Sequence, residues 1–206
     1  MRRRMLASIG GKRGGIPADC VEVEYLESSR SDQFIKTDLE FSTPYRRWVI
    51  EESYSNITTR QLWGNSTVGW FFGCSSDGKY EVNSAKSTFI VNKNEKITVD
   101  IEFLYATFNI FANLKYTSES ATYNNIGYSY PIRSGLCKLF SLGREYSASG
   151  KRVYSCRVFD SGNEVLNLIP VRRTTDGLGY MCDTLTGKLF GNAGTGEFII
   201  GPDKTT

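Results

Sequence analysis

The 206-residue chain contains no histidine. That removes the commonest general base and the commonest zinc ligand at once. It also rules out a standard serine–histidine triad. Long hydrophobic runs are missing as well. The longest apolar stretch, near Phe103–Leu114, is interrupted by Asn and Thr and is too short to span a bilayer. The five cysteines, Cys20, Cys74, Cys137, Cys156 and Cys182, are odd in number and scattered, with no C-x-x-C. They form neither a disulfide framework nor a zinc site, and suit buried free thiols in a chain made in a reducing cytoplasm. No window carries the period of a long amphipathic helix, and no internal repeat is visible.

A secretion signal is also lacking. Met1–Arg4 resembles the start of one, but Met5–Ile9 is too short an apolar segment and runs into Gly10-Gly-Lys-Arg-Gly-Gly15. The expectation is a soluble chain that a standard signal does not export. Asn56-Ile-Thr58 and Asn65-Ser-Thr67 match the glycosylation pattern by chance on that reading.

Acids are absent from residues 1–16, which hold Arg2, Arg3, Arg4, Lys12 and Arg13. Those are five of the 25 basic side chains, leaving 20 against all 22 acids, so the rest of the chain is slightly negative. The body therefore has no basic footprint for nucleic acid. Residues 1–19 read as a basic, glycine-rich, flexible arm, either a solvated tail or an anchor onto a partner in an assembly.

What the chain has is strand-forming sequence. Hydrophobic residues make up 40% and aromatics 13%, enough for a large core of sheet-favouring Tyr and Phe. Val21, Val23 and Tyr25 alternate with acids. Ile97, Val99, Ile101 and Phe103 share one face of a strand, with Thr98, Asp100 and Glu102 on the other. Thr107–Leu114 is expected to pair with it. Asp77-Gly78 between Gly69–Gly73 and Lys79–Asn83 predicts a type I′ hairpin. Ser161-Gly-Asn163 predicts a second hairpin, with Tyr154, Cys156 and Val158 on one face and Pro170 at a strand end or edge. Further strands are expected at Arg47–Tyr54, Tyr180–Asp183, Lys188–Phe190 and Phe198–Ile200. A dozen or so short strands without helical crossovers predict an antiparallel two-sheet sandwich over residues 20–203.

Asp100 and Glu102 have the spacing of a sandwich glycosidase pair, but the third acid that pattern uses would stand at Thr98. A solvated strand face explains them equally. Gly191-Asn-Ala-Gly-Thr-Gly196 lacks the Lys of a phosphate loop and precedes a strand, so it reads as a tight turn. Asp77, Asp160 and Asp176 stand beside glycines and would suit calcium, though turn chemistry accounts for them; no cofactor is expected. Trp63 and the Tyr123–Tyr130 loop, with Asn125, Tyr128 and Tyr130, combine rings and amides as sugar-binding surfaces do.

From Glu22 to Asp203 the chain resembles the concanavalin A-like, LamG-type jelly-roll domains of gut Bacteroides and their bacteriophages. The resemblance rests on Val23-Glu-Tyr-Leu-Glu-Ser-Ser29, Gln33-Phe-Ile-Lys-Thr37, Lys151–Asp160, Leu168–Arg172, Gly179–Asp183 and Leu189–Gly196. Phe34 and Lys36 depart from the usual pattern, and Arg30-Ser-Asp32 replaces a glycine-containing turn. The resemblance implies a jelly-roll and does not settle function; such domains occur as appendages on phage structural proteins or bacterial surface proteins, and with histidine absent the expectation is a non-enzymatic module on a virion (capsid decoration, tail or fibre) or a bacterial cell surface. Its partners would be other assembly proteins, further copies of itself, and glycans of a host surface or mucus. A polysaccharide-binding surface protein and, more remotely, a sandwich glycosidase are the alternatives.

Overall fold

A computed structural model describes residues 14–40, 45–57, 61–65, 70–82, 85–106, 109–116, 119–127, 136–139 and 149–205. Arg2, Arg3, Arg4, Lys12 and Arg13 lie outside the described residues, as do Tyr128 and Tyr130. The described part is all β. Its strands are β1 (Cys20–Glu22), β2 (Leu26–Glu27), β3 (Ile35–Glu40), β4 (Tyr45–Tyr54), β5 (Gln61–Asn65), β6 (Trp70–Cys74), β7 (Lys79–Val82), β8 (Ala85–Ile90) and β9 (Ile97–Ala106). There follow β10 (Asn109–Tyr116), β11 (Glu119–Gly127), β12 (Leu136–Leu139), β13 (Lys151–Asp160), β14 (Asn163–Arg173), β15 (Gly179–Asp183), β16 (Lys188–Phe190) and β17 (Ile199–Ile200).

They form two antiparallel sheets. The larger runs β11-β10-β9-β4-β13-β14-β15-β16, with β1, β2 and β17 attached to its flank. The smaller runs β3-β12-β5-β6-β7-β8. Their inner faces meet: the Trp48 ring of β4 lies 5.9 Å from the Phe72 ring of β6. Ile97, Val99 and Ile101 are buried in this core, as their alternation predicts, while Thr98 is exposed. At one edge β11 approaches β8, and at the other β16 approaches β3.

Four local expectations need correction. The Ser75–Gly78 turn is not type I′: Gly78 alone has positive φ (77°), Gly78 N–H donates to Ser75 O (2.9 Å), and Ser75 N–H donates to Lys79 O (2.8 Å). That is a type I turn closed by a glycine bulge. The type I′ geometry occurs instead at Ser161 (φ 50°) and Gly162 (φ 84°), between the paired Asp160 and Asn163.

Tyr154 does not share a face with Cys156 and Val158. The β13–β4 register shifts between Val153 and Ser155, so the inward positions are Lys151, Val153, Cys156 and Val158. One bulge turns Tyr154 outward. Pro170 lies inside β14, not at its end. It sits where β14 changes partner, from β13 (up to Leu168) to β1 (from Val171), and its carbonyl accepts from Val23 N–H (3.0 Å). No ladder donor is required at that changeover, which is why an imino acid fits.

The fourth correction concerns the Tyr123–Tyr130 loop. Tyr123 and Asn125 belong to β11, an edge strand of the large sheet. Ile110 pairs with Ile126 and Ala112 with Tyr123, so Asn124 and Asn125 together oppose Phe111. The asparagines mark a bulge, not a loop.

Gly14 N–H donates to Leu185 O (3.0 Å), and Thr174 N–H donates to Asp19 O (2.8 Å). Residues 14–19 are therefore hydrogen-bonded to the β14–β16 region.

Candidate functional site

Two segments far apart in sequence close the sandwich and shape its surface cleft. Gln33 is fully buried. Its Oε1 accepts from Ser29 N–H (2.7 Å) and Arg30 N–H (3.1 Å), and its Nε2 donates to Glu197 O (2.5 Å). Asn192 works in the same way from the other side. Its Oδ1 accepts from Phe34 N–H (3.2 Å) and Gly194 N–H (2.9 Å), and its Nδ2 donates to Thr195 O (3.1 Å) and Gly196 O (2.8 Å). A Cβ on Gly194 would stand 1.8 Å from Asp32 O, so only glycine permits this backbone approach. The glycine-rich run is a structural turn, and its amide is fully used.

Beside this lacing lies a cleft of about 260 Å³, lined by Leu178, Gly179, Tyr180, Gly191, Asn192, Gly196, Glu197 and Phe198. Tyr180 projects from β15, and its hydroxyl is fixed at the far end. It accepts from Arg173 Nη2 (2.7 Å) and donates to Asp176 Oδ2 (2.9 Å), while the guanidinium carbon sits 4.7 Å from the ring centroid. The Arg173 hydrogen bond holds the Asp176 carboxyl well below the usual carboxylate range, and burial beside Asp176 raises the Tyr180 phenol. Asp176 Oδ1 also accepts from Leu178 N–H (3.0 Å), which fixes the turn. The result is a rigid cleft with a phenol, backbone carbonyls and one exposed carboxylate, Glu197.

The outer face of the large sheet carries rows of cations on rings. Arg47 and Arg157 approach Phe159 at 5.6 and 5.0 Å. Lys96 lies 4.8 Å from Tyr154, and Arg152 lies 4.8 Å from Tyr25, with the two tyrosine rings edge to face at 5.6 Å. Each cation also holds an acid: Arg47 chelates Asp100 (2.7 and 2.6 Å), Arg157 holds Glu164 (2.6 Å), Lys96 holds Glu51 (2.9 Å) and Arg152 holds Glu27 (2.7 Å). Asp100 is thus a structural ion-pair partner.

Of the sequence-predicted binding residues, Trp63, Tyr123 and Asn125 fall among the described residues, on two different sheets. Trp63 lies on β5, within the small sheet, while Tyr123 and Asn125 lie on β11, which adjoins β8. Three strand spacings, roughly 14 Å, separate β5 from β8. Asp77 is bound to Lys86 (2.7 Å) and Asp176 to Arg173, and among the described residues no three His, Cys, Asp or Glu side chains are grouped to hold a metal. No helix among them is long and apolar enough to cross a membrane. Cys74, Cys156 and Cys182 are buried and Cys20 is half-buried, none of them in a disulfide.

Sequence reasoning missed the Arg173–Asp176–Tyr180 unit. Its signal was present: Asp176-Gly177 is a turn, and the hairpin it closes returns Tyr180 beside the arginine three residues before the acid. The cation–ring rows were legible in part as Arg152, Tyr154, Arg157 and Phe159, once the bulge is placed. No protein-family model matches the chain, and no curated protein matches it.

Proposed function

We propose that this chain is a non-enzymatic recognition module with a concanavalin A-like, LamG-type jelly-roll topology, displayed on a virion or a bacterial surface and binding the ends of glycans. The chain's path supports the topology: β3 lies in the small sheet, β4 in the large, β5–β8 in the small, β9–β11 in the large, β12 in the small and β13–β16 in the large. Such repeated exchange between two sheets is what a jelly roll requires.

The observation that carries the binding reading is the Tyr180 cleft. Its ring is held from behind by Arg173 and Asp176 before any ligand arrives, so little side-chain freedom is lost on binding. At about 260 Å³ it is smaller than the usual pocket for a drug-sized ligand, which fits one terminal sugar residue rather than a long chain. Affinity per site is then low and becomes useful through many copies. The chelation of Asp100 by Arg47 argues against the glycosidase alternative, because a carboxylate locked by a bidentate guanidinium is a poor proton carrier.

A glycan array probed with the full chain presented multivalently tests the reading. Binding of a defined set of glycan termini, lost in Tyr180→Ala with the fold retained, is the expected result. Trp63→Ala and Tyr128→Ala measure whether a second surface contributes. Absence of binding to every glycan, or release of reducing ends abolished by Asp100→Asn, overturns it.

A further inference from the structure

The core between the sheets holds a charged pair. Glu52 of β4 and Lys151 of β13 are both fully buried, as are Tyr54 of β4 and Tyr80 of β7. Both phenols donate to the same carboxylate oxygen: Tyr54 OH lies 2.6 Å and Tyr80 OH 2.9 Å from Glu52 Oε1. The other oxygen faces the lysine, with Nζ 3.9 Å from Oε2 and 5.4 Å from the Tyr54 ring centroid. Val153 pairs with Glu52 and Lys151 with Tyr54, so the amine and the carboxyl are diagonal neighbours on adjacent strands, within reach across one sheet face.

No dissolved substrate reaches a pair this deeply buried, so the chemistry open to these groups is with each other. An ion pair in a dry core carries a heavy desolvation cost. Passing the ammonium proton to the carboxylate relieves it and leaves a neutral amine beside a neutral acid. Burial pushes the Lys151 amine down to about 8, which makes its neutral, nucleophilic form accessible at mildly alkaline pH. The fold supplies the high effective concentration that two fixed reactants have.

We propose that Lys151 and Glu52 condense into an intrachain amide, Nζ to Cδ, which ties β13 to β4 covalently. The amine lone pair attacks Cδ, and the C=O electron pair moves onto Oε1. The Tyr54 and Tyr80 hydroxyls already point at that oxygen and stabilise the charge that develops there. One proton passes from nitrogen to the Oε2 hydroxyl, the C–Oε2 bond breaks, and water leaves. The pair on Oε1 re-forms the carbonyl. One C–N bond forms, one C–O bond breaks, one water is released, and nothing is oxidised or reduced. The product holds no charge at this point in the core, and both phenols still have a carbonyl oxygen to donate to.

Intact-mass measurement of the full chain, folded and then denatured, tests this. The expected mass is one water below that of the sequence. Peptide mapping should show one branched species joining the peptide that contains Glu52 to the peptide that contains Lys151, with no tryptic cleavage after Lys151. The same chain purified in denaturant and never refolded should keep its full mass and lose water only on folding, a comparison that needs no variant. Lys151→Met should retain full mass. A folded wild-type chain that keeps its full mass after prolonged incubation at mildly alkaline pH overturns the proposal. So does a water loss that persists in Lys151→Met or maps to other residues.

Discussion

Replacing Gln33 by alanine is the sharpest probe of how the sandwich closes. The side chain is fully buried and makes four hydrogen bonds, accepting from Ser29 N–H, Ser29 Oγ–H and Arg30 N–H and donating to the Glu197 carbonyl. Alanine leaves the two backbone donors without their partner in a part-buried site and removes one donor from the Glu197 carbonyl, which still accepts from Ser29 Oγ. At about 1 kcal/mol per neutral hydrogen bond, with an added cost for groups that water does not reach, the loss should be about 2–4 kcal/mol. Urea unfolding followed by tryptophan fluorescence measures it, as a lower midpoint at unchanged slope.

Two comparisons isolate the cause. Gln33→Glu keeps the acceptor for both N–H groups but sets a buried, charged oxygen against the Glu197 carbonyl, so its loss should be at least as large. Arg30→Ala removes only an exposed ion pair with Asp32, 61% and 43% accessible, and should cost within about 0.5 kcal/mol. Hydrogen exchange at the Ser29 and Arg30 amides should accelerate in Gln33→Ala alone. If Gln33→Ala unfolds at the wild-type urea concentration, the lacing of residues 29–33 to the carboxy-terminal turn contributes nothing, and the reasoning fails.

Further outcomes follow from single side chains. Ile101→Ala, at a fully buried position, should cost about 2–5 kcal/mol in the same assay, whereas Glu102→Ala on the opposite face should cost within about 0.5 kcal/mol. Burial pushes the Cys74 thiol up to about 12 and Cys182 to about 11, so both should resist iodoacetamide in the folded chain and react once it is unfolded; labelling at the native rate of a model thiol would contradict this. The Asp176 carboxyl is depressed in the folded state, so its contribution is full above the ordinary carboxylate range and is lost as pH falls through its lower folded value. The melting-temperature gap between wild type and Asp176→Asn should therefore shrink on acidification, and a gap constant from neutral to strongly acidic pH would refute that sign.

The large sheet was legible where the alternation is unbroken. Ile97, Val99 and Ile101 repeat every second residue and have no glycine or asparagine to disturb the count, so period two alone placed them inward. The reading failed where one residue is inserted. The bulge near Tyr154 and the bulge at Asn124–Asn125 each change which face a side chain takes or whether a strand is seen at all. Neither has a residue type that dictates it locally, because the partner strand sets the register. The inward position of Lys151 follows from the bulge near Tyr154. On the unbroken row of Tyr154, Cys156 and Val158 it falls with Val153 on the opposite face, and only the bulge turns both into the core, where a charged residue is not ordinarily expected.

The candidate site was less legible for a related reason. The segments that carry the family resemblance, Val23–Ser29, Gln33–Thr37 and Leu189–Gly196, are largely those that lace the two ends of the chain together. Gln33 spans Ser29 to Glu197, Asn192 grips Phe34, and Gly194 admits the Asp32 carbonyl. Each residue type there is fixed by a backbone contact within the fold. Any sequence that closes a sandwich this way needs an amide at Gln33 and a glycine at Gly194, whatever its surface binds. The residue types of these segments are therefore explained by how this fold closes and are silent about the ligand. On the proposed reading, specificity has to come from side chains free of that duty, such as the exposed Glu197 in the cleft lining, whose identity the closure does not constrain. Exchanging Glu197 for Gln should then leave stability unchanged, because only its backbone carbonyl serves the lacing, while altering which glycan termini are retained; a loss of stability as large as that of Gln33→Ala would show that the two duties are not separable.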